Sequence, residues 1–342
     1  MRRPVAFLLF FALALPLAGV PATTARAQRY RFIVTGDGRS ALHDARPDSD
    51  SNGVDTTAMK ALVREMLRTR PRFVLFNGDL VYGYTSEDSF RTQLIGWREL
   101  MRPVYQAGIH VYLIRGNHDA SSVNADQVWD EVFTGPYVQP SNGPEGEKDM
   151  TFAAREENAL IVGLDQWNGH EHAVNEKWLD QQLARNTLPV VLVMGHEMAF
   201  RAGVHTDNLA EHRRRRDRFI EALFKAGARV YFAGHDHFYD HAEITDPKCH
   251  PGLDIHQFVV GTAGAPFYHG ADYGENDGSW TVIHKPEWHI ERAIGYMLGE
   301  VDSLDVKLTF FGRTAADSTF RPMDSFAYRA ARAEAPTPSR TR

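Results

Sequence analysis

Five apolar runs in this chain, residues 30–35, 73–76, 110–114, 189–194 and 229–233, each stop at or just before a glycine that stands beside a carboxylate, amide or imidazole side chain. The runs are short and read as buried strands. Between them, residues 56–69 set Met59, Leu62, Val63, Met66 and Leu67 at helical spacing, and residues 90–107 show the same period. Strand and helix therefore alternate, the pattern of a largely parallel sheet covered on both faces. Loops beyond the carboxyl ends of such strands converge on one crevice. Asp37, Asp79, Asn117, His196, His235 and His237 are thus expected to meet in space.

Residues 28–328 are expected to form one domain, because no Pro-, Gly- or Ser-rich linker divides them. After about residue 255 the pattern turns to strands, and the Ala-, Arg-, Pro- and Thr-rich tail from Arg329 to Arg342 reads as disordered. Residues 1–27 read as an export leader: Arg2 and Arg3, an apolar run over 5–20, and Ala25-Arg26-Ala27 as the cleavage pattern. That run is shorter than the roughly 20 residues that span a bilayer, and Pro16 interrupts it. The expectation is cleavage and release into the periplasm or the exterior, with no stable membrane anchor.

The formal net charge of −6 argues against a nucleic-acid partner, which would require a basic stripe. Arg213 to Arg216 precede a short amphipathic helix and read as a solvated face. The single Cys249 excludes an internal disulfide, and no obligatory protein partner is evident. There is no G-x-S-x-G, H-E-x-x-H or G-x-x-x-x-G-K-[ST] sequence, so serine-nucleophile and nucleotide-driven chemistry lack their usual marks.

Any one of the six residues has a plain reading, since Asp after Gly is ordinary turn chemistry and a lone His is usually structural. All six behind apolar strands and glycines form a donor set of oxygen and imidazole that suits Zn, Fe, Mn or Ni and not calcium. Glycine at these turns lets the backbone approach a bound ion closely. His170, His172, His205 and His241 read as surface residues near the mouth, Trp167 and Tyr268 as apolar walls or core, and residues 261–266 as a turn or a pocket-lining loop.

The series Gly36-Asp37-Gly38, Gly78-Asp79-Leu80-Val81-Tyr82, Gly116-Asn117-His118-Asp119, Gly195-His196 and Gly234-His235-Asp236-His237 resembles the calcineurin-like metallophosphoesterase superfamily over roughly residues 30–312. The resemblance implies a four-layer α/β/β/α sandwich of two mixed sheets, with the metal site at the C-terminal ends of strands. It implies two divalent or mixed-valence ions of Fe, Zn or Mn, bridged by Asp79. Asp37 and His237 would hold the first ion, and Asn117, His196 and His235 the second. The implied activity is hydrolysis of a small phosphomonoester by in-line attack of a hydroxide lying between the ions. A phosphodiesterase using the same site and a non-catalytic binder of phosphate ligands are the alternatives.

Two positions depart from the general pattern. Where the family often has a His two residues after the first Asp, this chain has Arg39, which either faces the substrate or is solvated. The GDxxY spacing is similar to the purple acid phosphatase branch, which implies Tyr82 as a phenolate ligand of ferric iron; the alternative is that it packs beneath the loop. His118, with Asp119 beside it, is expected to orient substrate or protonate the leaving oxygen.

Overall fold

The apolar runs become central strands and the periodic segments become helices laid over them. In the computed structural model, residues 28–41, 53–167, 171–273, 280–314 and 319–330 are described. The expected leader at 1–27, most of the expected tail and His170 lie outside these residues.

The first sheet has six strands in the order β13-β12-β11-β1-β2-β3. They are β1 (Arg29–Thr35), β2 (Phe73–Phe76), β3 (His110–Leu113), β11 (Ile294–Asp302), β12 (Asp305–Arg313) and β13 (Arg321–Arg329). β1, β2 and β3 pair in parallel, and β1 pairs antiparallel with β11, so the sheet is mixed. The second sheet has seven strands, in the order β10-β8-β9-β7-β6-β5-β4. These are β4 (Phe152–Glu156), β5 (Ala159–Gly163), β6 (Val190–Met194), β7 (Val230–Ala233), β8 (Tyr239–Asp246), β9 (His250–Val260) and β10 (Thr281–Ile290). β5, β6, β7 and β9 run parallel, while β4, β8 and β10 are antiparallel additions.

Helices α1 (Thr56–Thr69), α2 (Glu87–Gln106) and α4 (Ala125–Val132) cover the first sheet, with Met59, Leu62, Met66, Phe90, Leu94, Trp97 and Trp129 buried against Val74, Phe76 and Leu113. α1 starts where the Asp55 carboxylate accepts the amides of Thr57 and Ala58 at 3.0 and 2.9 Å, which satisfies two of the amides that a helix start leaves unpaired. It ends at Arg70, which has φ 48° and is followed by Pro71. Helices α5 (Glu176–Ala184) and α6 (Arg213–Lys225) cover the second sheet through Trp178, Leu179, Phe219 and Ile220. A third layer of Phe32, Phe73, Phe152, Ile161, Phe232, Phe258 and Phe310 fills the space between the sheets. Each such fully buried aliphatic or aromatic side chain contributes about 1.5–3 kcal/mol of transfer free energy. The result is the expected four-layer α/β/β/α sandwich. Among the described residues no helix is long and apolar enough to cross a membrane.

Three details differ from the sequence reading. α6 starts at Arg213, so Arg213 to Arg216 lie within the helix and do not precede it, and they are not simply a solvated face. Arg216 is buried with its guanidinium 4.3 Å from the centre of the Phe200 ring, and Arg215 and Arg218 both pair with Glu176. The domain also gains β13, which ends at Arg329 and places that residue in a strand instead of the tail.

Candidate metal centre

Asp37, Asp79 and the short α3 (Asn117–Ala120) follow β1, β2 and β3 of the first sheet, while His196 follows β6 and His235 and His237 follow β7 of the second. The two sheets thus contribute three donors each. Asp37, Asp79 and His235 have φ of 62°, 51° and 71°, in the left-handed region that Asp and His tolerate better than most residues. Their side chains are thereby turned off the strand direction and into the crevice. Two glycines permit the close approach. A Cβ on Gly116 would stand 2.0 Å from Asp79 Oδ1, and one on Gly234 would stand 2.3 Å from Asp37 Oδ2.

All six residues do gather. His196 Nε2 and His235 Nδ1 lie 3.2 and 3.1 Å from Asn117 Oδ1, and His196 Nε2 lies 3.5 Å from Asp79 Oδ1. Atoms that share an ion at about 2.0–2.2 Å stand about 3.0–3.6 Å apart, so this quartet has the spacing of a ligand set. His237 Nε2 and Asp37 Oδ1 are 3.7 Å apart at the neighbouring position, on the Oδ2 side of Asp79.

Each imidazole is oriented from behind. His196 Nδ1 donates to the Asn77 carbonyl at 2.7 Å and His237 Nδ1 to the Pro266 carbonyl at 2.7 Å. A carbonyl can only accept, so both rings carry their proton on Nδ1 and present the Nε2 lone pair to the crevice. His235 is reversed: its Nε2 faces Asp207 Oδ1 at 3.5 Å, which leaves Nδ1 for the centre. Burial pushes His196 down to about 3 and, together with the charge of Arg39, holds His237 well below the usual imidazole range. Both are neutral at pH 7, the form that ligates a metal. Burial and the charge of Asp79 push Asp37 well above the usual carboxylate range, whereas Asp79, although buried, is held below that range by the surrounding imidazoles and Arg39. Donor type, spacing and charge all fit a divalent cation.

The remaining predicted residues fall as follows. His118 stands at the rim, with Nδ1 bonded to the Tyr82 carbonyl and Nε2 4.0 Å from Asp79 Oδ2. Asp119 does not face the crevice. It is wholly buried and accepts the amides of Gly116 at 2.9 Å and Leu80 at 3.1 Å, so it holds the two ligand loops together and does not reach a substrate. Asp119→Ala is expected to orphan those amides, at about 1–3 kcal/mol each, and Asp119→Asn, which keeps one acceptor, to cost less. Urea unfolding of both variants measures this.

Tyr82 lies edge-on to His118, with ring centres 5.6 Å apart, and its hydroxyl makes no hydrogen bond to Asp37, Asp79 or His237. Arg39 reaches these groups instead. It is not a solvated loop residue: it is 7% exposed, its Nε is 3.5 Å from Asp79 Oδ2, and its Nη2 donates to His237 Nε2 at 3.4 Å and to Tyr268 Oη at 3.3 Å.

The sequence reading passed over Asp207, Gln166, Asn77 and Tyr84. Gln166 Oε1 accepts the amides of both His196 and Glu197 at 2.7 Å and fixes that turn. Tyr84 Oη accepts Asn117 Nδ2 at 2.9 Å, which turns the amide oxygen towards the histidines. Asp207 follows neither a strand nor a glycine, and only its reach to His235 identifies it. The turn at 261–266 lines the floor, where the Ala263 and Ala265 amides donate to the Gly36 and Asp37 carbonyls at 2.8 and 2.9 Å.

Acid, amide and imidazole donors gathered at the strand ends of two stacked sheets define the class: an α/β/β/α fold with a candidate metal centre between its sheets. The family sequence pattern of the calcineurin-like phosphoesterases matches residues 30–239, and the chain belongs to that family. No curated protein sequence matches it. The purple acid phosphatase PPD1 from yellow lupin (Lupinus luteus) seeds has a similar structure, with a TM-score of 0.59 at 16% identity over 89% of this chain and 54% of that one. This chain therefore spans about half the length of the lupin protein. GAP50, the anchor in the inner membrane complex of Plasmodium, is similar at a TM-score of 0.57 and 14% identity, over 90% of both chains.

Proposed function

We propose that the chain is an exported, metal-dependent phosphomonoesterase. The reading is carried by the convergence of Asp79, Asn117, His196 and His235 at 3.1–3.5 Å, and the arginine-containing leader at 1–27 supports export. An ion held by these residues would supply an acidified water and polarise a phosphoryl oxygen.

The protein's own groups do the rest. Asp79 and Asn117 fix the position of the ion, and Gly116 lets their loops close on each other. His118 is held by the Tyr82 carbonyl and by the rings of Tyr82 and Tyr84, whose centres lie 5.6 and 4.6 Å from its own. Its Nε2 is therefore fixed at the rim, where the ring, once doubly protonated, can give a proton to the leaving oxygen. His118→Ala is expected to retain metal while kcat falls by about 10² to 10⁴-fold. Loss of metal from this variant, counted by elemental analysis, would refute the assignment.

The metal-loaded chain is expected to turn over an aryl monophosphate faster than a bis-aryl phosphate, since a dianionic ester gains more than a monoanionic one from a bound cation. Preference for the bis-aryl ester would make it a phosphodiesterase. No turnover of either ester at full metal occupancy would make it a binder, the reading that the placement of Arg39 favours.

A further inference from the structure

The first metal position is already next to a cation. Two of its three donor atoms, Asp79 Oδ2 and His237 Nε2, lie 3.5 and 3.4 Å from guanidinium nitrogens of Arg39. The third donor, on Asp37, is 3.7 Å from the same His237 nitrogen. We propose that the Arg39 guanidinium takes the place of the first ion, so that the centre binds a single metal, in the Asp79, Asn117, His196 and His235 quartet.

Three observations support this. The guanidinium cannot leave by deprotonation, since arginine stays charged in proteins. Nor is it free to swing away. The backbone at Arg39 bridges to Val54, Ser40 N donates to Gly53 O at 2.9 Å, and Arg39 Nη1 and Nη2 donate to Ser40 O and Tyr268 Oη at 3.4 and 3.3 Å. Tyr268 in turn stacks on the His237 ring at 4.0 Å between centres, which closes that side.

The third observation is electrostatic. A dication at this position would meet a fixed positive charge within hydrogen-bond range of its own ligands, a repulsion that weakens binding steeply in a buried site. Arg39 supplies part of the charge that Asp37 and Asp79 require. The quartet meets Arg39 only through Asp79 Oδ2; its other three donors, on Asn117, His196 and His235, face Asp79 Oδ1 and one another at 3.1–3.5 Å. The Tyr82 hydroxyl, which the GDxxY pattern would assign to the first ion, makes no hydrogen bond to that ion's other donors.

The proposal rests on the reading of the site as a metal-dependent phosphoesterase centre, and the test separates the two. The full chain is stripped with a chelator and reloaded with Mn(II). Metal per chain is then counted, and the electron paramagnetic resonance spectrum is recorded. Wild type is expected to hold about one ion with an uncoupled Mn(II) spectrum. Arg39→His, which exchanges the fixed cation for a fourth donor, is expected to hold about two ions and to show exchange coupling. Two coupled ions in wild type, or about one in a folded Arg39→His, would overturn the proposal. Arg39→Ala provides a second variant, with the same expected rise in the count. Absence of ester turnover by singly loaded wild type would count against the hydrolase reading and leave the ion count intact.

Discussion

Asp79→Ala is expected to release metal and to lower kcat/KM on an aryl monophosphate by more than the roughly 10–100-fold typical of losing only an outer partner of a ligand. One oxygen of Asp79 faces His196 and the other faces Arg39, at 3.5 Å each, so a single carboxylate serves both positions. Oδ1 also accepts the His118 amide at 3.1 Å, which ties the loop after β2 to α3. Truncation removes the ligand, the link and the counter-charge to Arg39 together, leaving a buried cation unpaired. Metal retention near the wild-type level in a folded Asp79→Ala would refute this account of the centre.

Arg115→Ala should produce the largest loss of stability among the residues around the site, about 3–5 kcal/mol, because it leaves one partner of a buried ion pair uncompensated. Arg115 is 1% exposed, and its Nε and Nη2 donate to the two oxygens of the buried Asp165 at 2.9 and 3.1 Å. The fork fixes the start of Gly116-Asn117, which provides a ligand. Its second partner, Asp126, is more than half exposed and contributes little beyond that. Replacing both members, with Arg115→Met and Asp165→Leu, should recover part of the loss. Urea unfolding gives both numbers. A loss below about 1 kcal/mol for the single variant would place the pair with exposed salt bridges.

The central strands and the six gathered donors were legible because strands buried on both faces must be apolar along their whole length, and the turns that follow them need Gly, Asp, Asn or His. Peripheral strands lack that constraint. β13 alternates exposed and half-buried residues, carries Pro322 and reads as polar chain until it is seen paired with β12. β10 lies at the edge of its sheet with Pro286 and a break in register, so it too gives no clean pattern. The four arginines at the start of α6 concealed its first turn, since the stem of Arg216 is buried while its composition suggests solvent.

Within the site, a motif identifies ligand types but not the direction in which a neighbour points. Asp119 carries the same letter as a catalytic acid, yet its side chain is consumed by two backbone amides. Arg39 could be placed only once the bridge to Val54 and the stacked Tyr268 were known, because both lie far from it in sequence.

Half of the donors stand on each sheet, so the chemistry depends on the alignment of two slabs joined by an apolar seam and, at the site end, by links such as Arg115 to Asp165 and His196 to Asn77. Sliding one slab past the other by a single residue step of about 3.3 Å would equal the whole spacing of the quartet. An ion seated there acts as a rivet through the seam, and its removal should loosen the join between the halves before it disturbs either half.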